Sequence, residues 1–208
     1  MALDSYDAAK CAALAAHLAR NNTWLSPTFM PGGGIKVQSE RGADLIKYVP
    51  NPLRARWLQQ AEAAAAPASP SAADQELARR VAAANREIVI AMKRGGVQFV
   101  PGTDSGGAWR IPGRSLHESL LEMNNAGLTP AELIVAGTSS SARLLKREKD
   151  LGTVQAGKLA DLVLLDANPL DQIANARRIN AVVANGRLYD RKALDDLLSQ
   201  LATANGTN

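Results

Sequence analysis

Apolar positions recur with a helical period over much of the first 145 residues, interrupted by short runs that alternate or cluster. Between residues 8 and 20, Cys11, Leu14 and Leu18 share one face, and Asn21-Asn22 breaks the pattern. The β-branched and aromatic run from Thr23 to Phe29 predicts a short strand, with Pro27 tolerated only near a strand end or edge. Pro31-Gly32-Gly33-Gly34 opens a loop. Residues 35 to 73 are weakly patterned: Val49-Pro50-Asn51-Pro52 is a turn, Leu53 to Ala66 reads as a helix carrying Trp57, and Pro67-Ala68-Ser69-Pro70-Ser71 reads as a surface loop. The clearest helix follows, capped by Ser71 or Asp74. Leu77, Val81, Ala84, Ile88 and Met92 form its apolar stripe, and Gly95-Gly96 ends it like a left-handed C-cap. Val97 to Val100 then predicts a buried strand. A helix followed at once by such a strand is the alternation of a parallel α/β sheet.

The second half changes texture. Ser115-Leu116-His117-Glu118 has the spacing of a capping box opening a helix that ends at Gly127. Thr129-Pro130-Ala131-Glu132 is a second such box, with proline at the first helical position, and its helix runs to about Leu145. Leu151 to Val154 and Ala160 to Asp166 read as strands joined through Gly157-Lys158. Ala181 to Ala184, Asn185-Gly186 and Arg187 to Tyr189 read as a hairpin with the favoured Asn-Gly turn. A closing helix covers Lys192 to Leu201. The pattern predicts α/β structure over 1–146 and β-hairpins with a terminal helix over 147–208, without internal repeats.

Composition narrows the possibilities. The 208 residues are 46% hydrophobic, enough for a packed core, but only 4% aromatic, so alanine carries much of it. The net charge of +4 is spread along the chain. Its densest basic clusters, Lys146-Arg147-Glu148-Lys149 and Arg177-Arg178, are short and have acidic neighbours, which reads as solvated surface rather than a nucleic-acid stripe. A single cysteine, Cys11, excludes an intrachain disulfide and a cysteine metal cluster. No run approaches the ~18 apolar residues of a membrane span. The start, MALDSYDAAK, lacks the features of a signal peptide and reads as if the chain begins within a domain. The expectation is a soluble protein with no membrane and no nucleic-acid partner, its compartment left open.

The candidate chemistry lies at Val97-Gln98-Phe99-Val100-Pro101-Gly102-Thr103-Asp104-Ser105-Gly106-Gly107. A carboxylate at the carboxyl end of a parallel strand, facing a glycine-rich loop, stands where α/β barrels and open sheets build their sites. On these residues alone, an Asp that merely caps the turn is the more ordinary reading, since such turns are common.

The order of Gly-Thr-Asp at 102–104, Leu116-His117-Glu118, Ala126 to Glu132, Leu151 to Val163 with its Gly157-Lys158-Leu159-Ala160-Asp161 core, Asn168-Pro169-Leu170 and Val182 to Arg187 closely resembles the C-terminal part of the metal-dependent amidohydrolase superfamily. The nearest branch is the imidazolonepropionase-like and prolidase-like one. The resemblance implies the C-terminal portion of a (β/α)8 barrel, strands seven and eight with their helices, followed by hairpins of a small composite β-sandwich and a terminal helix. It implies hydrolysis of carbon–nitrogen bonds in a small amide, dipeptide-like or cyclic-amide substrate, assisted by a divalent metal, usually zinc. Asp104 matches the family's eighth-strand aspartate, which implies metal ligation and general-base work. The loop from Ser105 to Arg114 is the surviving candidate for substrate contact, through Ser105, Trp109 and Arg110, with packing by Trp109 as the alternative; His117 is a further candidate near the site.

The family's remaining ligands, a His-x-His pair and histidines at the fifth and sixth strands, have no counterpart here. The two histidines, His17 and His117, both fall in helical patterns. A catalytic zinc takes three protein ligands. The expectation is therefore a chain without stoichiometric zinc, inactive alone, and needing a missing N-terminal barrel portion or an oligomer partner. The competing readings are one subunit of a split amidohydrolase and a non-catalytic binding or regulatory remnant of the fold.

Overall fold

The computed structural model describes residues 6–31, 35–64, 71–107 and 109–206. The predicted loop positions 32–34 and 67–70 lie outside them, as do the last two residues of the helix predicted to end at Ala66.

Helix α1 (Ala8–Arg20) is capped by Asp7, whose carboxylate accepts the amides of Ala9 and Lys10. Asn22 ends it at φ 50°, with the amide of Thr23 reaching back to the Leu18 carbonyl. Strand β1 (Trp24–Leu25) follows directly. It is much shorter than the predicted Thr23–Phe29 run, because Pro27 has no amide to donate to a ladder. Helices α2 (Ile35–Gly42) and α3 (Asn51–Ala63) fill the weakly patterned stretch. Helix α4 (Ala72–Arg94) uses both candidate caps: the Ser71 hydroxyl accepts the Asp74 amide, and the Asp74 carboxylate accepts the Ser71 amide.

Helix α4 ends by a Schellman motif. The amide of Gly96, at φ 83°, bonds the Lys93 carbonyl, and the amide of Val97 bonds that of Met92. This reversal feeds strand β2 (Gln98–Phe99), which pairs parallel with β1, Trp24 opposite Gln98 and Leu25 opposite Phe99. The α/β alternation expected from the pattern is thus present.

Helix α5 (Arg114–Asn125) starts earlier than its expected cap. Ser115 is fully buried, and its hydroxyl donates back to the Ile111 carbonyl, so no capping box forms; Glu118 pairs instead with Arg114 at 2.8 Å. The box at Thr129 and Glu132 does form, opening α6 (Pro130–Val135). Glu132 also meets Lys93 at 2.7 Å, tying the start of α6 to the end of α4. A π-helical stretch, Ala136–Ser140, continues α6 into α7 (Ser141–Leu144), with the Ser141 hydroxyl donating to the Ala136 carbonyl five residues back.

The predicted strand Leu151–Val154 is absent; Leu151 to Thr153 are bends and Val154 is irregular. The Lys158 ammonium gathers the carbonyls of Glu148 and Leu151 and the Thr153 hydroxyl, at 2.6–3.2 Å, which curls the segment into a loop. Gly152 is folded against α7 at φ 90°. Strands β3 (Leu162–Leu165), β4 (Ile179–Ala184) and β5 (Arg187–Tyr189) form an antiparallel sheet in that order. The β4–β5 turn has Asn185 at φ 50° and Gly186 at φ 76°, the geometry the Asn-Gly pair favours. The Asp161 carboxylate accepts the Asn185 amide at 2.6 Å. Lys158 therefore braces the loop before β3, and Asp161 braces the β4–β5 turn at the same end of the sheet. Helix α8 (Arg191–Ala204), capped by Asp190, closes the chain.

Two cores hold these elements. The first joins Ala15, Val89, Met92, Val97, Phe99 and Met123, and receives Ile173 from a 3-10 turn before β4. The second surrounds Trp57 and Trp109. The α4 stripe divides between burial and exposure. Met92 is buried, with Val89 beside the stripe, and Ala84 and Ile88 are half-buried, while Leu77 and Val81 are each 41% exposed beside a groove of about 470 Å³ also lined by Phe29 and Met30. Among the described residues no helix is long and apolar enough to cross a membrane.

Helices α1 and α4 touch most closely at Gly95, where an added Cβ would stand 2.5 Å from the Ala15 Cβ and 3.1 Å from its carbonyl carbon. Gly95→Ala should cost about 1–3 kcal/mol by overpacking, read from the urea midpoint; an unchanged midpoint would show that the helices can separate freely. Lys158→Met should cost about 1.5 kcal/mol through the lost charged hydrogen bonds, with the amides of residues 148–153 exchanging faster, whereas unchanged exchange would contradict the bracing role.

Candidate active site at the carboxyl end of the parallel pair

The two parallel strands end side by side. The amide of Val100 donates to the Leu25 carbonyl at 3.1 Å, extending the pairing one step beyond the strands. The chains then converge further. A Cβ on Gly102 would lie 2.5 Å from the Ser26 hydroxyl oxygen and 3.2 Å from Thr28 Cγ2, so a residue without a side chain is needed there. The buried Ser119 of α5 donates to the Gly102 carbonyl at 2.7 Å and fixes the strand exit from below.

Asp104 emerges from this clamp at φ 51°, with its side chain 67% exposed. It pairs with the Arg110 guanidinium. Ser105 is exposed, and its hydroxyl shares a 2.9 Å hydrogen bond with that of Thr103. The sequence-predicted residues Asp104, Ser105 and Arg110 thus gather on one loop.

Trp109 and His117 make no hydrogen bond or ion pair with them among the described residues. Trp109 is 6% exposed, its indole N–H donates to the Trp57 carbonyl at 3.2 Å, and the two rings stand 6.0 Å apart. Gly42 lies beneath its ring: an added Cβ would be 3.1 Å from Trp109 Cε3. Trp109 is the anchor of the loop. His117 is half-buried on α5; burial, with Arg177 nearby, pushes its imidazole below the usual value. His17 is exposed on α1 and lies 3.2 Å from the Asn21 amide nitrogen. Among the described residues no three His, Cys, Asp or Glu side chains are gathered as a metal centre. The Asp104–Arg110 pair was missed by sequence reasoning. Its signal was available: two opposite charges six residues apart, across glycines.

The model of the amidohydrolase family matches residues 4–189. The chain belongs to the amidohydrolase family. Among curated relatives of this amidohydrolase chain, an imidazolonepropionase of Shouchella clausii (strain KSM-K16) is 36% identical over 130 residues, covering 54% of this chain and 27% of the relative. A 5'-deoxyadenosine deaminase of Methanobrevibacter smithii is 30% identical over 84 residues, covering 39% and 19%. A bottromycin amidohydrolase structure superposes with a TM-score of 0.69 at 20% identity, covering 99% of this chain and 47% of its own. The matched region is thus about a quarter or less of these curated relatives and under half of that solved structure. The structural likeness, at such identity, speaks for the fold alone.

Proposed function

We propose that the chain is the C-terminal part of a (β/α)8 amidohydrolase barrel, with β1 and β2 as its seventh and eighth strands. Residues 1–146 are then the barrel portion, and 147–208 a sandwich segment with its closing helix. The complete enzyme, in this reading, is a hydrolase of carbon–nitrogen bonds in small amide, dipeptide-like or cyclic-amide substrates, working with a divalent metal, expected to be zinc. The observation that carries the reading is the place of Asp104. It follows the second of two parallel strands at their carboxyl end, held by glycine approach and open to solvent. Similarity to an imidazolonepropionase supports the substrate class.

The side chains present do not fit a metal by themselves. Asp104 is one carboxylate, it is paired with Arg110, and neither histidine is beside it in a donor group. A catalytic zinc takes three protein ligands. Asp104 is accordingly proposed as one ligand and as the general base of a site completed by another segment, carried by a longer polypeptide or a separate subunit. Its exposed oxygen can take a proton and return it. The exposed Ser105 and the half-buried Arg110, donors on the same loop, are the proposed substrate contacts; Trp109 holds them in place, and His117 is proposed only to border that region. A non-catalytic remnant is the second reading, and the Asp104–Arg110 pair is the observation that favours it.

The test is complementation with a polypeptide carrying the first six barrel strands and their His-x-His pair. Metal-dependent amide hydrolysis should appear, and Asp104→Asn should lower kcat by about 100-fold or more. Hydrolysis that proceeds at an undiminished rate in that variant would remove Asp104 from the chemistry.

A further inference from the structure

Helix α8 is fastened at its two ends and lightly between them. At its start the Arg191 guanidinium donates to the Ile179 carbonyl of β4 at 3.0 Å. None of its residues is buried, and Leu197, Leu198 and Leu201 are exposed. At its far end the Asn205 carbonyl accepts the Arg54 guanidinium of α3 at 2.9 Å, and the Asn205 side-chain amide donates to the Lys47 carbonyl at 3.4 Å. The 14 residues of the helix thus carry a tie from the antiparallel sheet to α3, across about 21 Å.

A cation on the last carbonyls of a helix meets the negative end of its dipole and satisfies a group the helix itself cannot. The same Arg54 nitrogen, Nη2, also donates to the Asn51 side chain. Its Nη1 is buried with no partner among the described residues. Docking therefore takes water from part of a charge without replacing it, which weakens the hold. Opening of α8 gives that nitrogen back to water, and a helix of this length is marginal once detached.

Beyond Arg54 lies the support of the candidate-site loop. Leu53, its neighbour on α3, packs against the second core. Trp57, one turn further along α3, is fully buried there, and its carbonyl receives the Trp109 indole N–H. Ile46, on a 3-10 turn that α8 also lies against, enters the same core. From Trp109 the order passes back along the loop: the Arg110 amide bonds the Gly107 carbonyl at 3.2 Å, and the Gly107 amide bonds the Asp104 carbonyl at 3.4 Å.

We propose that α8 is a releasable strap and Arg54 its positioning residue: docking at Arg54 holds α3 and the Trp57–Trp109 pair in place, and with them the loop that carries Asp104. The inference concerns the order of that loop. It stands whether or not Asp104 acts in catalysis, and its readouts use neither metal nor substrate.

The full chain is studied by native-state hydrogen exchange in low urea. The Trp109 indole N–H and the amides of Leu198 and Leu201 should exchange through one shared opening, with a weaker urea dependence than the Val100 amide. Arg54→Met should speed both places about fivefold. So should Asn205→Pro, which loses the amide bond to the Leu201 carbonyl, and the double variant should be no faster than either single one. Arg54→Lys, which keeps a cation at the helix end, should fall between the native chain and Arg54→Met. A Trp109 indole that opens only together with Val100, at full urea dependence, would overturn the strap. So would α8 amides that speed up in either variant while the indole does not. Rates unmoved in Arg54→Met would overturn Arg54 as the tie. Should Arg54→Met not fold, Asn205→Pro decides by the same readings.

Discussion

The architecture depends on holding two very short parallel strands together at their carboxyl ends. Two residues a side supply few ladder hydrogen bonds. The pairing persists because larger pieces press on it. Helix α4 crosses back over α1, reverses at Gly95-Gly96 and delivers β2 against β1. Phe99 and Val97 then enter the same core as Val89, Met92 and Met123. Ser119 and the bare backbone of Gly102 draw the strand exits closer still. Asp104 owes its position to these contacts, not to any bond of its own carboxylate.

Elements decided by local chemistry were legible in the sequence. Helix α1, the Ser71–Asp74 and Thr129–Glu132 boxes, the Gly95-Gly96 stop and the Asn185-Gly186 turn all depend on residues within a few positions of one another. What escaped was decided by distant partners. Helix α2 buries Ser39 and Gly42, small residues that carry no apolar period, and the value of Gly42 lies in admitting the Trp109 ring. Ser115 has the spacing of a cap, but burial turns its hydroxyl toward Ile111. Leu151 to Val154 has strand composition, but the Lys158 ammonium takes the Leu151 carbonyl and the Thr153 hydroxyl. At the site, the place of Asp104 could be read from strand, glycine and carboxylate. Packing of Trp109 was one of the two readings the loop allowed, and contacts with Gly42 and Trp57 decide it; the Arg110 pair was overlooked although its opposite charges stand six residues apart.

The Gly-Lys-x-Ala-Asp run, the most specific mark of family resemblance in the sequence, is a joint. Lys158 secures the loop that precedes β3, and Asp161 secures the turn that follows β4. Ile173, set in the first core, ties this sheet to the helices of the α/β part. Family membership is therefore read most strongly from residues that shape the fold, while the proposed chemistry rests on one exposed carboxylate.

Hydrogen exchange at the Val100 amide tests the central claim most directly. This N–H, bonded to the Leu25 carbonyl, is the last link of the parallel pair before the Asp104 loop. The account predicts protection close to that of global unfolding, shared with the core residues of α4. Exchange at the rate of an open loop would mean that the strands are not joined, and that Asp104 is not held at the end of a parallel sheet.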